Sequence, residues 1–138
     1  MTSRARVVLD SNTLVSGLYR AGYSRTVLLK AIHDGEITMI ISPFILSEVQ
    51  KALLKKLKWS SDRVDEVLSE FSQAAIVVNP SPTLSMLRHA GDNRVLECAI
   101  EGSAQYIVTG DHEFLRLNHY EGIAILSARQ FLDVLGGL

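Results

Sequence analysis

Short apolar runs alternate with helical segments along the chain, and this alternation constrains the fold more than any other feature. Runs rich in valine and isoleucine occupy residues 6–10, 37–42, 75–79, 105–109 and 122–126. Such continuous runs are typical of parallel strands covered on both faces, and the segments between them carry apolar residues at helical spacing. The pattern therefore predicts an α/β protein, with helices packed on both faces of a parallel sheet.

Capping residues mark where the predicted helices begin and end. Ser42 followed by Pro43 is a strong start signal, and Ser24 is a candidate cap for a helix that stops at Gly35. Asp92 opens a further helix before the fourth apolar run. These helices lie between successive strands, which is the connection that parallel strands require.

Length, charge and cysteine content narrow the class of protein. The chain has 138 residues and no linker-like segment, so we expect one domain over residues 1–138. The formal net charge of −1 excludes an overall basic field of the kind that nucleic-acid binders carry, but it leaves a local site open. A single cysteine, Cys98, fits a reducing compartment. No apolar run approaches the roughly 18 residues that span a bilayer, so we expect a cytoplasmic protein with no membrane partner.

Four acidic residues are predicted to meet at one edge of the sheet. Asp10 and Asp111 each end or closely follow a strand-like run, so both lie at the carboxyl ends of strands, where open sheets bind ligands. Glu48 lies on the helix that starts at Pro43 and leans back toward this edge, because helical side chains tilt toward the N-terminus. Asp92 opens its helix at or near the same edge.

Carboxylates gathered in this way repel one another and raise their own pKa values unless a cation lies between them. Mg²⁺ prefers oxygen ligands, and a bound ion polarises a phosphoryl oxygen and activates water for attack. The residue types therefore predict a metal-dependent phosphodiesterase. Each acid also has a simpler explanation, since Asp10, Asp92 and Asp111 suit turns or helix caps and Glu48 suits a solvated helix surface.

Motifs spread along the chain carry a resemblance to a known family. They read VVLDSNTLVSGL, SPFILSEVQKAL, DNRVLECAIEGSAQYIVTGDHEFLRL and GIAILSARQFL. In this order they resemble the successive motifs of a PIN domain, in the group of VapC-like toxins of toxin–antitoxin pairs. The resemblance implies a three-layer α/β/α sandwich with a five-stranded parallel sheet. It also implies an acidic pocket that binds Mg²⁺ or Mn²⁺, with single-stranded RNA as the substrate.

The resemblance assigns roles to individual positions. The catalytic and metal-binding acids that it implies are Asp10, Glu48, Asp92 and Asp111. Asn12 and Thr109 match polar positions that orient the acids or a water molecule. The chain departs from the family at two places, because Gly91 stands where many relatives have a further acid and Ser11 replaces a commoner threonine. Fewer acids would weaken metal binding or favour a single ion.

Basic and aromatic residues are candidates for contacts with RNA. A basic stripe recurs at about one-turn spacing on the helix that carries Glu48, where it also suits a solvated face: Lys51, Lys55 and Lys58, with Lys56 beside them. Arg94 suits either a phosphate contact or a surface role. The aromatic candidates for base stacking or for packing are Trp59, Tyr19 and Tyr23.

The leading hypothesis is a metal-dependent endoribonuclease of single-stranded RNA that acts as the toxin of a toxin–antitoxin pair. An inhibitory antitoxin protein and a homodimer are expectations from the family. Two alternatives stay open at this point: a metal-dependent DNA nuclease of the same fold, and a non-catalytic module that binds RNA or a protein.

Overall fold

The computed structural model describes residues 4–136, so the first three and the last two residues of the predicted domain lie outside the described part. The strands are β1 (Ala5–Leu9), β2 (Ile37–Ile41), β3 (Ile76–Val77), β4 (Tyr106–Val108), β5 (His119–Tyr120) and β6 (Ile123–Leu126). The helices are α1 (Ser11–Tyr19), α2 (Tyr23–Ile32), α3 (Pro43–Lys51), α4 (Ser61–Ala74), α5 (Ala90–Glu101), α6 (His112–Leu117) and α7 (Ala128–Gly136). A π-helical turn, Ala52–Lys56, follows α3 directly.

The strands form one sheet in the order β3-β2-β1-β4-β6-β5. All the predicted runs form strands of this sheet, and they pair in parallel, which confirms the α/β class. The predicted count of five strands is wrong by one, because β5 adds an antiparallel edge strand beside β6. Glu121 and Gly122 have φ angles of 49° and 82°, and this left-handed turn folds the chain back so that a two-residue strand pairs there.

The strand order reverses next to β1, and this reversal positions the site. From β1 the chain builds β2 and β3 on one side, then crosses to build β4 on the other side. Asp10 follows β1 and its backbone N–H donates to the carbonyl of Val108, the last residue of β4 (3.1 Å). Asp10 and Asp111 therefore lie at the carboxyl edge where parallel sheets of this kind bind ligands.

Helices cover both faces of the sheet, so the central strands are fully buried. Val7, Val8, Ile40 and Ile107 have no exposed surface. Removing such side chains from water supplies most of the stabilisation of an α/β fold, at roughly 1.5–3 kcal/mol for each large aliphatic residue. In the described part of the chain, no helix combines the length and the apolar composition needed to cross a membrane.

Of the three predicted caps, one is correct and two are wrong. Ser42 accepts a hydrogen bond from the backbone N–H of Ile45 (3.3 Å) and caps α3 as expected. Ser24 lies inside α2, whose N-cap is Gly22 with no side-chain cap. Asp92 lies in the first turn of α5, and the N-cap is the residue His89. The side chains of Ser24 and Asp92 are therefore not used as caps of these helices.

Gly102 ends α5 against the centre of the sheet, and we expect Gly102→Ala to destabilise the protein by about 1–3 kcal/mol. A Cβ atom there would overlap the Cγ2 atom of Ile40, which is fully buried and cannot move aside. Urea unfolding measures the change in free energy. Gly110→Ala is the control, because a Cβ at Gly110 meets no atom within 4 Å. Equal free energies of unfolding for the two variants would contradict the expectation.

Candidate active site

The predicted acids come together at the carboxyl edge of the sheet. Asp10, Glu48, Asp92 and Asp111 line one cavity of about 80 Å³. They reach it from different elements: the ends of β1 and β4, the middle of α3 and the first turn of α5. Gly91 and Phe44 also line this cavity, so the position where many relatives have a further acid does face it.

Asp10 is held rigidly by both of its carboxylate oxygens. Oδ1 accepts from the backbone N–H of Thr13 (2.9 Å) and so caps α1, while Oδ2 accepts from the hydroxyl of Thr109 (2.5 Å). Burial raises the pKa of Asp10, the two threonines oppose this rise, and the nearby charge of Asp111 adds to it. The capping explanation is therefore correct for Asp10, and it is compatible with a place in the cavity.

Thr109 joins the two acids that follow strands. Its hydroxyl donates to Asp10 and accepts from the backbone N–H of Asp111 (3.1 Å). Asp111 in turn caps α6, accepting from the backbone N–H groups of Glu113 (2.9 Å) and Phe114 (3.4 Å). The polar position predicted at Thr109 thus fixes the spacing of Asp10 and Asp111.

Asp92 shows the electrostatic cost of gathering the acids. Burial and then the charge of Asp111 raise the pKa of Asp92 to about 6, with smaller increases from Asp10 and Glu113 and a decrease from His89. An ordinary aspartate has a pKa near 4. The repulsion predicted for a cluster without a cation is therefore present at Asp92.

Oxygen ligands of this kind suit a hard divalent cation, and a bound cation would relieve the repulsion at Asp92. Within residues 4–136, however, no three histidine, cysteine, aspartate or glutamate side chains lie close enough together to hold one ion. Mg²⁺ is usually held by one or two carboxylates, with water completing its octahedron. These oxygen ligands therefore suit a divalent cation that contacts fewer than the four predicted carboxylates directly.

Lys51 and Lys55 line a second cavity of about 150 Å³ that adjoins the first. The two cavities share Asn12, Ser11 and Glu48. The π-helical turn brings Lys56 into the same wall, which regular α-helical spacing from Lys51 does not predict. A local basic surface therefore lies beside the acids in a chain whose net charge is close to zero.

Arg94 does not line the acid cavity, because it lies on another face of α5. Its Nη2 atom donates to the carbonyl of Leu84 (2.5 Å) and to Glu97 (3.0 Å). Burial alone raises the pKa of Glu97, but hydrogen bonds from Leu84, Thr83 and Arg94 outweigh it and hold the pKa below its usual value. The geometry gives Arg94 a structural contact, and the predicted phosphate contact stays a prediction.

Sequence reasoning missed a groove lined by hydroxyl groups. A cavity of about 330 Å³ runs from Asn12 and Asp111 along Ser16, Ser24 and Ser127. Isolated serines on helices give no sequence signal of this kind, because a serine at each position also suits a solvated face or a cap.

Among the aromatic candidates, Trp59 stacks with Arg63, whose guanidinium carbon lies 3.7 Å from the ring centroid.

The sequence profile described as "PIN domain" matches residues 6–113, which is most of the chain and includes all the acids of the cavity. The chain belongs to the PIN domain family. PIN domains are generally nucleases, and this supports nuclease activity for the present PIN domain. The resemblance stated for the sequence motifs is thereby confirmed.

Three comparisons place this PIN domain among its relatives. An uncharacterized protein of Methanocaldococcus jannaschii, MJ1680, is 30% identical over 118 residues, which cover 83% of this chain and 76% of the relative. PAE2754 of Pyrobaculum aerophilum has a TM-score of 0.61 at 15% identity, covering 98% of this chain and 91% of the other. VapBC2 of Rickettsia felis, bound to a DNA fragment from its promoter, has a TM-score of 0.56 at 18% identity over 87% of this chain and 96% of the other. At these identities the two solved structures show that this PIN domain shares their fold.

Proposed function

We propose that this PIN domain is a Mg²⁺- or Mn²⁺-dependent endoribonuclease that hydrolyses phosphodiester bonds of single-stranded RNA. The observation that carries the proposal is the convergence of Asp10, Glu48, Asp92 and Asp111 on one cavity at the carboxyl edge of the sheet. A bound divalent ion supplies Lewis-acid stabilisation of the phosphoryl oxygens and a more acidic water nucleophile.

The residues of the chain prepare the cavity for this chemistry. Thr109 and the helix caps hold Asp10 and Asp111 in one geometry, so the side chains lose little freedom when an ion binds. Asp92 supplies a carboxylate that is ionised above a pH of about 6. Glu48, on α3, forms the wall between the acids and the lysine cavity. Asn12 lies at the same junction, where its amide can orient a phosphate or a water molecule.

The lysine cavity, which is lined by Lys51, Lys55 and Lys56, would hold the RNA phosphates next to the one that is cleaved. Lys51 is exposed and lies 3.9 Å from Glu48, which is too long and too solvated for a strong ion pair. Its charge, with those of Lys55 and Lys56, is therefore available to a polyanion. Because the net charge of the chain is −1, this local surface rather than the whole molecule would attract RNA.

We expect the double variant Lys55→Gln/Lys56→Gln to weaken RNA binding and to make it less sensitive to salt. For single-stranded RNA, loss of two phosphate contacts reduces the magnitude of the slope of log affinity against log salt concentration by about 1.4. Fluorescence anisotropy across a series of KCl concentrations measures the slope. Lys58→Gln is the single-charge control, because Lys58 lies in the same segment and does not line the cavity, so its loss should leave the slope close to that of wild type. A slope unchanged from wild type in the double variant would exclude this surface as the phosphate contact.

Parallel cleavage assays test the proposed function and its alternatives. The purified protein is incubated with single-stranded RNA and with single-stranded DNA of the same sequence, in Mg²⁺, in Mn²⁺ and in EDTA. We expect cleavage of RNA alone, in the presence of metal. Cleavage of DNA in place of RNA favours the DNA nuclease, and binding without cleavage of either strand favours the non-catalytic module.

The same proposal extends to the location of the protein, its assembly and its partner. We infer that the protein is a cytoplasmic toxin, that it forms a homodimer, and that an antitoxin protein blocks the acid cavity. The structural similarity to VapBC2 supports this assignment at the level of the fold. Co-expression with a small protein encoded beside this chain, followed by purification through a tag on that protein, tests the pairing.

A further inference from the structure

Beside the acid cavity lies the hydroxyl-lined groove, which none of the three lysines lines. Asn12 and Asp111 line both the acid cavity and the groove. Ser16, Ser24 and Ser127 then line both this groove and a second space of about 240 Å³ beyond it. A continuous path therefore leads from the acids across α1, α2 and the start of α7.

The far end of this path carries an exposed aromatic ring and two arginines. Tyr23 is 55% exposed, although it opens α2, and it lines the second space beyond the groove. The guanidinium carbon of Arg129 lies 5.9 Å from its ring centroid, and Arg20 lines the same space. An exposed tyrosine with arginines around it offers a stacking surface for a base and charge for the next phosphate.

We infer that this groove binds a nucleoside of the RNA strand next to the scissile phosphate, with its ribose hydroxyls toward Ser16 and Ser24 and its base against Tyr23. The inference rests on the proposed function and goes beyond it, because it assigns the ribose and base next to the scissile phosphate to a groove that the lysines do not line. The groove volume of about 330 Å³ lies within the range of pockets that enclose small organic groups, roughly 300–1,000 Å³.

The lining of the groove suits RNA better than DNA or a protein segment. Serine hydroxyls both donate and accept hydrogen bonds, as the ribose 2′-hydroxyl does, and this group distinguishes RNA from DNA. Ser127 uses its oxygen to accept from the backbone N–H of Gln130 (3.2 Å), which leaves its O–H to donate to a ligand. Continuity with the acid cavity then favours a nucleotide as the occupant over an antitoxin segment.

Binding of a labelled oligouridylate to the full chain tests the inference. Fluorescence anisotropy is measured in Mg²⁺ in an Asp10→Asn background, so that cleavage does not interfere with binding. We expect Tyr23→Ala to weaken binding roughly tenfold, the effect typical of losing one base stack, and Tyr23→Phe to retain most of the affinity. Met86→Ala is the control, because the large side chain of Met86 is similarly exposed (47%) and lines neither the groove nor the space beyond it. It should change binding less than twofold.

Two further variants examine the hydroxyl groups. Ser16→Leu fills the groove, and we expect a loss of affinity like that of Tyr23→Ala; its fold is checked by circular dichroism. Ser24→Ala should reduce the preference for the ribose over the deoxyribose oligonucleotide about threefold, the effect of one hydrogen bond. The Tyr23 variants alter an exposed side chain, so they remain informative if Ser16→Leu does not fold.

The outcomes separate this inference from the proposed function. Binding that is unchanged in Tyr23→Ala and Ser16→Leu, or absent in the parent protein, overturns the nucleoside site. An antitoxin segment as the true occupant gives this same unchanged RNA binding. Cleavage of RNA by the wild-type protein can persist in that case, so the proposed function would stand. Conversely, weakened binding in the groove variants supports the inference even if no cleavage is found.

Discussion

Replacing Asp10 with asparagine is expected to lower RNA cleavage by more than about a hundredfold while leaving the protein at least as stable as wild type. Loss of a group that merely supports a metal ligand already costs 10- to 100-fold, so loss of a carboxylate that faces the ion should exceed this. Asparagine caps helices as well as aspartate does, so α1 keeps the cap that Asp10 provides. Because burial raises the pKa of Asp10, its ionised form destabilises the folded state at neutral pH, and asparagine removes that charge.

Cleavage rates and thermal unfolding of three variants separate the effect of Asp10 on catalysis from its effect on stability. Asp10→Ala should lose activity and also about 0.5–2 kcal/mol of stability, because alanine cannot cap α1. Asp65→Asn is the matched control, since Asp65 is an exposed carboxylate on α4 that does not line the cavity. It should keep both activity and stability. Undiminished cleavage by Asp10→Asn would show that the acid cavity is not the catalytic site.

Mg²⁺ or Mn²⁺ is expected to raise the midpoint of thermal unfolding at pH 7.5 and to do so much less at pH 5. An ion at about 100 times its dissociation constant stabilises a protein by about 2.7 kcal/mol, which corresponds to a shift on the order of 10 °C for a domain of this size. The pKa of Asp92 is about 6, so Asp92 is ionised at pH 7.5 and largely protonated at pH 5. A protonated carboxyl does not ligate the ion, and the shift falls accordingly.

The raised pKa of Asp92 also determines how the stability of the metal-free protein changes with pH. The folded-state pKa of Asp92 lies above its ordinary value, so the folded state holds this proton more tightly than the unfolded chain does. The contribution of Asp92 to stability therefore grows as the pH falls through 6, and it is lowest above 6. Differential scanning fluorimetry at pH 5 and pH 7.5 measures the midpoint of unfolding with and without the divalent ion, and NaCl at matched ionic strength is the control. An equal metal-induced shift of the midpoint at the two pH values would show that the ion binds elsewhere.

Several parts of the site follow from the local sequence. The apolar runs place β1 and β4, so the positions of Asp10 and Asp111 at strand ends can be predicted from residues close to them in the chain. The cap at Ser42 is correct for the same reason. These features depend on side-chain periodicity and on hydrogen bonds within about four residues, which the sequence displays directly.

Other contacts need the arrangement of elements that are distant in sequence. Arg94 and Glu97 are spaced for an ion pair on one helix, but only the passage of residues 83–84 over α5 buries this pair and explains its contacts. The sequence favoured an N-cap for Ser24, whereas the start of α2 at Tyr23 turns its side chain into the groove. The short β5 leaves no apolar pattern, and its pairing depends on the turn before β6.

The sequence by itself determined the α/β class, the strand positions and the two aspartates at strand ends, because these depend on neighbours along the chain. The sequence also predicted that Glu48 and Asp92 lie near this edge, but only the tertiary structure decided that they share one cavity with the aspartates, and that lysines line one adjoining cavity and serines another. The order of strands and the rotation of each helix about its axis set which side chains meet, and both are fixed by packing of the whole core. A carboxylate cluster that raises the pKa of its own members forms only because that packing outweighs the repulsion.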